Sequence, residues 1–457
     1  MWSPAVHFDP ELIRRYDMAA PRYTSYPTAL SFTEAVRGDQ WRTAVQQARS
    51  RKLSLYVHIP FCRELCYYCG CNKVVTRHGH KADTYLDHLA KEIAYQAPLF
   101  ADFEVQHLHL GGGTPTFLDQ AQMTRLMTLL KGHFRFAPAF HGAIEVDPRA
   151  LAVKDLDWLA ALGFNRLSMG AQDFNPRVQQ AINRVQSTEH LTALMARARQ
   201  LGFGSINLDF IYGLPFQDAA SFRQTLDQAL ALAPDRFSIF NYAHLPERFA
   251  AQRKIKDDSL PAPAEKLRML GGAIGQLTEA GYAFIGMDHF ARQDDELALA
   301  QRQGRLHRNF QGYTTDGDCE LLALGASAIS QVGGLYVQNE KDLRAYQQAT
   351  AEHGHARVKG YQMSDDDKVR AAAIGALLCN FRLDWPKLDQ AFGIDSRAYF
   401  GEDRQLLAPF IQDGLVHEDE QGLTVTEQGR LLVRTIATAF DSHLRRQVRQ
   451  HRFSRVI

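Results

Sequence analysis

From Leu53 to about Gly286 the chain alternates seven short β-rich runs with amphipathic segments of helical period. The runs are LSLYVHI, VQHLHL, AIEV, NRLSMG, INLDFIYG, RFSIFNY and AFIGM. Several intervening segments stop at a glycine: DLDWLAALG at Gly163, LTALMARARQLG at Gly202 and AIGQLTEAG at Gly281. A glycine just past a helix can adopt the left-handed conformation that closes it. Strands alternating with helices of this length predict a parallel α/β sheet, because consecutive parallel strands need a long crossover. Periodicity leaves both an open sheet and a barrel available. It also places HIPFC, GGGTPT, EVDP, GAQDF, DFIYGLP and NYAHLP at or just after the carboxyl ends of strands. That rim is where parallel α/β folds bind ligands.

The 457 residues exceed one typical domain, so a large domain with extensions is expected. Basic and acidic side chains balance at 52 and 51, a net charge of +1, which removes any general attraction to nucleic acid or anionic membrane. The opening MWSPAVHFDPELIRRYD lacks the basic-then-apolar order of a signal peptide. No apolar run approaches the roughly 20 residues that span a bilayer. Six cysteines, four of them between 62 and 71, suit a metal centre in a reducing cytoplasm. A soluble cytoplasmic enzyme is expected.

Beyond about Gly360 the pattern changes. SDDDKVRAAAIGALLCNF reads as a helix with Ser364 as N-cap and acids in its first turn. DRQLLAPFIQDG, a hairpin in LVHEDEQGLTVT turning near Gln421 and Gly422, and EQGRLLVRTIATAF together resemble a winged helix. The tail holds Arg445, Arg446, Arg449, Arg452 and Arg455 and no acid after Ser442. With the whole-chain charge balanced, this run reads as a solvated helix end and the region as a lid or packing domain, without nucleic-acid binding.

Between Tyr56 and Asn72 the sequence YVHIPFCRELCYYCGCN sets Cys62, Cys66 and Cys69 at C-x3-C-x2-C. Three thiolates on one loop can hold three irons of a cubane cluster and leave the fourth iron open to a ligand. A fourth thiolate would close that iron, so Cys71 is expected to stay unligated. A structural zinc site draws paired ligands from two separated turns, whereas Cys319 and Cys379 are single and distant. A disulfide finds no support in a chain without marks of export. The three glycines of GGGTPT let backbone approach a ligand closely. Glu145 is a strand-end carboxylate that could serve a ligand or pair with a surface arginine. Tyr56 and His58 share one strand face, where Tyr56 could stack on an adenine or pack in the core. His58, His107, His109, His289 and His307 read as core or interface residues, with His58 placed beside the cysteine loop.

C-x3-C-x2-C directly after a strand resembles the signature of the radical S-adenosylmethionine (SAM) enzymes. The longer string HIPFCRELCYYCGC, with PRYTSYPTA, GGGTPT, DFIYGLP, FIGMDHFA and HRNFQGYTT, is similar to the oxygen-independent coproporphyrinogen III oxidases of anaerobic haem synthesis. The likeness runs from about Pro21 to the terminal FSRVI. It implies an α/β fold: a partial (β/α)6 radical SAM barrel over 51–360, open on one side for a large substrate. An amino-terminal extension (1–50) and a mostly helical, winged-helix-like C-terminal domain (361–457) complete it. It implies a [4Fe-4S] cluster on Cys62, Cys66 and Cys69 and two SAM molecules per chain. By the same resemblance Gly112, Tyr56, Glu145 and the backbone at Ile329 serve the first SAM. Gly113, Thr114, Tyr68, Gln172, Arg184, Asp209 and the backbone at Ala243 serve the second. The three cluster cysteines, Tyr56 and Glu145 form the catalytic set.

The implied activity is oxidative decarboxylation of two propionates of coproporphyrinogen III to vinyl groups, giving protoporphyrinogen IX. Reductive cleavage of SAM yields a 5′-deoxyadenosyl radical that removes hydrogen from the propionate β-carbon; loss of carbon dioxide and one electron follows. An electron donor such as flavodoxin or ferredoxin and a monomeric state are expected. Two rivals share the scaffold: a haem-binding chaperone and a radical methyltransferase. Cys71 and PRYTSYPTA resemble the oxidase branch.

Overall fold

The structure is a computed structural model that describes residues 6–33 and 36–446. Arg449, Arg452, Arg455 and the FSRVI terminus lie outside the described residues.

Six consecutive strands form the centre: β1 (Lys52–Ile59), β2 (Glu104–Gly112), β3 (Arg135–Val146), β4 (Arg166–Gln172), β5 (Ser205–Tyr212) and β6 (Arg236–Asn241). They pair side by side in sequence order and all in parallel. Each is followed by a helix: His80–Gln96, Gln120–His133, Asp155–Leu162, Thr188–Gln200, Ala219–Ala231 and Pro263–Glu279. The alternating runs predict a parallel α/β sheet, and the family resemblance predicts its six β/α units. Leu53, Leu55, Val57 and Ile59 are wholly buried on one face of β1, and Ser54 and His58 are buried on the other, as expected for a strand covered on both faces. Gly163 closes its helix as the sequence predicts, in the left-handed conformation at φ 106°.

A seventh parallel strand, Glu320–Leu324, adds to the free edge of β1. Beyond it Ile329–Val332, Leu335–Asn339 and Arg357–Gln362 run antiparallel to one another. At the opposite edge the run AFIGM departs from a simple alternation. Its strand, Tyr282–Gly286, does not pair with β6, because Met287 at φ 54° turns the chain back into His289–Arg292, which lies antiparallel between them. The sheet of 12 strands ends at Arg357–Gln362 and Tyr282–Gly286, which do not pair with each other, so the barrel is partial and open.

In the C-terminal region helix Asp365–Asn380 carries the predicted cap. Ser364 Oγ accepts from Asp367 N at 3.1 Å, and the Asp367 carboxylate accepts from Ser364 N at 2.9 Å. The expected hairpin pairs Val416–Glu418 with Gly422–Val425, and a third strand, Arg382–Asp384, joins it. The flanking helices are more broken than the sequence suggests. DRQLLAPFIQDG divides into Gly401–Gln405 and Ala408–Gln412, where Pro409 can only begin a helix. The final segment shortens to Val433–Ala437 between two 3-10 turns, in a stretch rich in β-branched residues.

The amino-terminal stretch threads between these parts. Trp41 is fully buried and donates from Nε1 to Gln96 at 3.0 Å. Tyr23 donates to Asp441 at 2.9 Å, the Tyr26 hydroxyl lies 3.2 Å from Ser442 Oγ, and Thr33 bridges to Gly360. Among the described residues no helix is long and apolar enough to cross a membrane.

Candidate active site at the carboxyl rim of the sheet

HIPFC, GGGTPT, EVDP, GAQDF, DFIYGLP and NYAHLP occupy the carboxyl ends of β1 to β6, as the sequence predicts. The cysteine loop leaves β1 and folds back on itself, where Phe61–Cys62 pairs in parallel with Val74–Val75. Val74 N donates to Pro60 O at 2.7 Å and Thr76 N to Cys62 O at 2.9 Å, which closes the loop at its base. Cys62 Sγ lies 3.6 Å from Thr114 Oγ1. Cys66 Sγ accepts from Arg149 and Arg184, each at 3.4 Å. Cys69 Sγ accepts from Cys71 N at 3.5 Å, and Lys73 Nζ donates to Cys69 O at 3.0 Å. Burial pushes the Cys62 thiol up to about 11, whereas donation from Cys71 and the Lys73 charge pull Cys69 down to about 5. Among the described residues no three His, Cys, Asp or Glu side chains converge as the ligands of a single ion would. A cubane cluster spreads its thiolates over separate irons and so asks for thiols set further apart. The three thiols and their cationic surroundings fit an anionic cluster.

The glycine turn lies against this loop. Gly113 N donates to Ile59 O and Thr114 N to Phe61 O, both at 2.8 Å. A Cβ on Gly113 would stand 2.7 Å from Pro60 O and 2.8 Å from Phe61 O, so only glycine permits the approach. Gly112 takes φ 114°, and a Cβ there would meet the His58 ring at 2.5 Å. His58 spans the gap between strand and loop: Nε2 is 3.1 Å from Asn72 O and Nδ1 is 3.2 Å from the Tyr56 hydroxyl. Tyr56 stacks on His109 with centroids 5.7 Å apart. His109 Nε2 is 3.0 Å from Glu145 Oε1, and Gly112 N donates to Glu145 Oε2 at 3.3 Å. Burial alone would raise Glu145, but His109 and the Gly112 amide hold its carboxyl below the usual range. Tyr56, Gly112 and Glu145 are therefore brought together. Ile329 opens a strand two places from β1 and pairs with Gln338.

A second group sits beyond Glu145. Arg184 Nη1 pairs with Asp147 Oδ2 at 3.2 Å and Nη2 donates to Gly170 O at 2.7 Å, while its buried Nε has no partner. Burial works against both charges, yet Asp147 holds Arg184 above its ordinary value and Arg184 with Arg149 holds Asp147 below. Gln172 adopts φ 67° where the pairing of β4 with β5 slips between Gly170 and Gln172. Asp209 accepts from Asn207 Nδ2 at 2.8 Å and Ser168 Oγ at 3.3 Å, and burial pushes its carboxyl up to about 6. Gln252, 2 % exposed, donates from Nε2 to Tyr68 O at 2.9 Å and Ala243 O at 3.2 Å, tying those two predicted residues together. Sequence reasoning missed Asp147, Arg149 and Gln252. EVDP contained the first and directly precedes the second; Gln252 lies in a loop without a motif. Between Glu145 and Asp209 on one side and His289, Gln311 and Tyr313 on the other lies a cavity of about 300 Å³.

The radical SAM superfamily matches residues 56–229, and the HemN C-terminal domain matches residues 363–432. Fold and site thus define a radical SAM protein. The oxygen-independent coproporphyrinogen III oxidase of Salmonella typhimurium (strain LT2) is 55 % identical over 457 residues, covering 100 % of both chains. That of Escherichia coli (strain K12) is 54 % identical over 452 residues, 99 % of each. The solved structure of the E. coli enzyme, described as coproporphyrinogen III oxidase (HemN), a radical SAM enzyme, superposes with a TM-score of 0.93. It is 54 % identical and covers 96 % of this chain and 100 % of that one. The chain belongs to the family of oxygen-independent coproporphyrinogen III oxidases.

The contact of Gly113 with the cysteine strand has a direct test. Gly113→Ala should destabilise the protein by about 1–3 kcal/mol, since backbone carbonyls cannot step aside as a flexible side chain would. Gly79 has helical φ −59° and open space around it, so Gly79→Ala should change stability by no more than about 1 kcal/mol. Thermal unfolding of both variants decides; equal midpoints would show that the close approach does not constrain the fold.

Proposed function

We propose that this protein is an oxygen-independent coproporphyrinogen III oxidase, converting two propionates of coproporphyrinogen III to vinyl groups in haem biosynthesis. The observation that carries the reading is the three-thiol loop closed against the glycine turn at the carboxyl rim, in a chain alike over its whole length to named oxidases. Cys62, Cys66 and Cys69 hold a [4Fe-4S] cluster, and Cys71 does not. When bound, the cluster and SAM supply a radical able to remove hydrogen from the propionate β-carbon. The protein's own part is to position and shield. Gly112 exposes backbone to the methionine end of SAM, Glu145 accepts a hydrogen bond from its ammonium group, and Tyr56 packs on its adenine with the backbone of Ile329. Thr114, Tyr68, Gln172, Arg184, Asp209 and the backbone of Ala243, with Gly113, serve a second SAM. Arg184, already aligned on Asp147, has a free Nε to turn toward a carboxylate. The division into 1–50, 51–360 and 361–457, a cytoplasmic location, a monomeric state and a donor such as flavodoxin or ferredoxin complete the proposal.

Separate serine replacements test the cluster assignment. Cys62→Ser, Cys66→Ser and Cys69→Ser should each lose iron and acid-labile sulfide, while Cys71→Ser keeps full content; equal loss at Cys71 would sink the assignment. Equilibrium binding of SAM to reconstituted protein should approach two equivalents, and a plateau at one counts against the second site. Under strict anaerobiosis with a low-potential reductant and SAM, coproporphyrinogen III should yield protoporphyrinogen IX and carbon dioxide, two per product because two propionates react. Haem binding without vinyl product, in protein whose cluster is intact, would overturn the function.

A further inference from the structure

Three stretches that the site leaves without a role meet beside the cavity: PRYTSYPTA, FIGMDHFA and HRNFQGYTT. Arg308 Nη1 donates to Arg22 O at 3.1 Å, and Arg22 Nη2 pairs with Asp288 at 2.5 Å. The Arg308 guanidinium lies over the Tyr313 ring, 5.3 Å from its centroid, and Tyr313 meets His289 edge-on at 5.2 Å. Tyr313, His289 and Gln311 line the cavity that Glu145 and Asp209 line from the other side. Behind them Arg434 donates to the carbonyls of Ala20 and Pro21, which fixes the arm that carries Arg22.

Several charges gather in this corner. Arg22, Arg308 and Arg434 share it with Asp288 and Asp17, which act together with Arg22 and Arg434 on the nearby Tyr212 hydroxyl, and with Asp441, which acts together with Arg434 on the Tyr23 hydroxyl. Arg236, also near, is taken up by Asp295 and Glu296, both at 2.9 Å. Hydrogen bonding is incomplete here: Arg22 Nε, Arg308 Nε, Gln311 Nε2, the Tyr313 hydroxyl and His289 Nδ1 are buried without a partner. Buried donors left unpaired are costly, and their gathering at one place calls for an acceptor. Arg22 keeps 40 % of its side-chain surface exposed, so an acceptor can reach it. Guanidinium groups match the two oxygens of a carboxylate.

We propose that Arg308 and Arg22 form an anion site beside the cavity that anchors one propionate carboxylate of the porphyrinogen, with Gln311 and Tyr313 adding donors. This rests on the substrate reading given above. Anchoring one propionate here orients the macrocycle so that another reaches the cavity between Glu145 and Asp209.

Anaerobic titration of the cluster-loaded protein with coproporphyrin III, followed by porphyrin fluorescence, tests the site. Arg308→Met and Arg22→Met should each bind about ten- to a hundredfold more weakly than wild type. The KM for coproporphyrinogen III should rise by more than kcat falls. Arg308→Lys, which keeps the charge without the fork, should recover part of the affinity. Coproporphyrin tetramethyl ester, lacking the carboxylates, should bind wild type and Arg308→Met alike. Arg125→Met, which breaks an outer pair with Asp87, should retain wild-type affinity. Cluster content and SAM binding report the integrity of each variant. Wild-type affinity in the two methionine variants with both intact would overturn the proposal. If Arg308→Met loses either, wild-type affinity in Arg22→Met and Arg308→Lys overturns it instead. A wild-type protein that fails to convert coproporphyrinogen III sinks the substrate reading and leaves the binding comparison to decide the anion site.

Discussion

The approach of Gly113 to the carbonyls of Pro60 and Phe61 joins the two motifs on which the rest of the site depends. Parallel pairing of β1 with β2 carries His58 opposite Gly111 and Ile59 opposite Gly112, so the cysteine strand and the glycine turn leave the sheet side by side. Without a Cβ at Gly113 the turn can donate two amides into the cysteine strand, and the loop that follows is held at its base. His58 then reaches Asn72, and through Tyr56, His109 and Glu145 the same contact extends to β3. A chain of short-range contacts thus fixes the thiols relative to the carboxylate that faces the cavity.

Burial and charge are opposed throughout this rim, and pairing decides each case. Asp147 stays ionised in a desolvated position because two guanidinium groups flank it. Asp209 has neutral donors, Asn207, Ser168 and Ser238, and burial pushes its carboxyl up. A buried guanidinium whose fork is only partly used is costly unless something completes it. Arg184 is left with an unpartnered Nε beside the thiols and Arg308 with one beside Tyr313. Incomplete polar satisfaction thus occurs at the places where ligands are proposed, as it does where binding energy must be held in reserve.

Much of this was legible in the sequence because it is written locally. The strands announce themselves by short buried runs, the helix ends by glycines, and the rim by motifs that interrupt both patterns. The cap at Ser364 and the hairpin near Gln421 follow from residues within a few positions of each other. What escaped depends on long-range placement. The antiparallel return after Met287 hinges on one residue's backbone, and Gln252 joins Tyr68 to Ala243 from a loop with no periodicity. The break at Pro409 was visible as a residue, but the helical pattern on both sides concealed its effect.

The meeting of Arg22 with Arg308 is the extreme case, since 286 residues separate them. Neither position looks unusual alone, and each lies in a motif whose role no local rule supplies. Their juxtaposition follows from Arg434, which holds the carbonyls of Ala20 and Pro21 from the C-terminal domain and so presses the amino-terminal arm against the barrel mouth. The extension and the C-terminal domain accordingly do more than pad the sheet. They set Arg22 and Arg308 beside Tyr313, which lines the cavity opposite Glu145 and Asp209. On the proposed anion site, a substrate carrying several carboxylates would be held by one of them beside Tyr313, across the cavity from Glu145, a polarity that follows from where the amino-terminal arm meets Arg434.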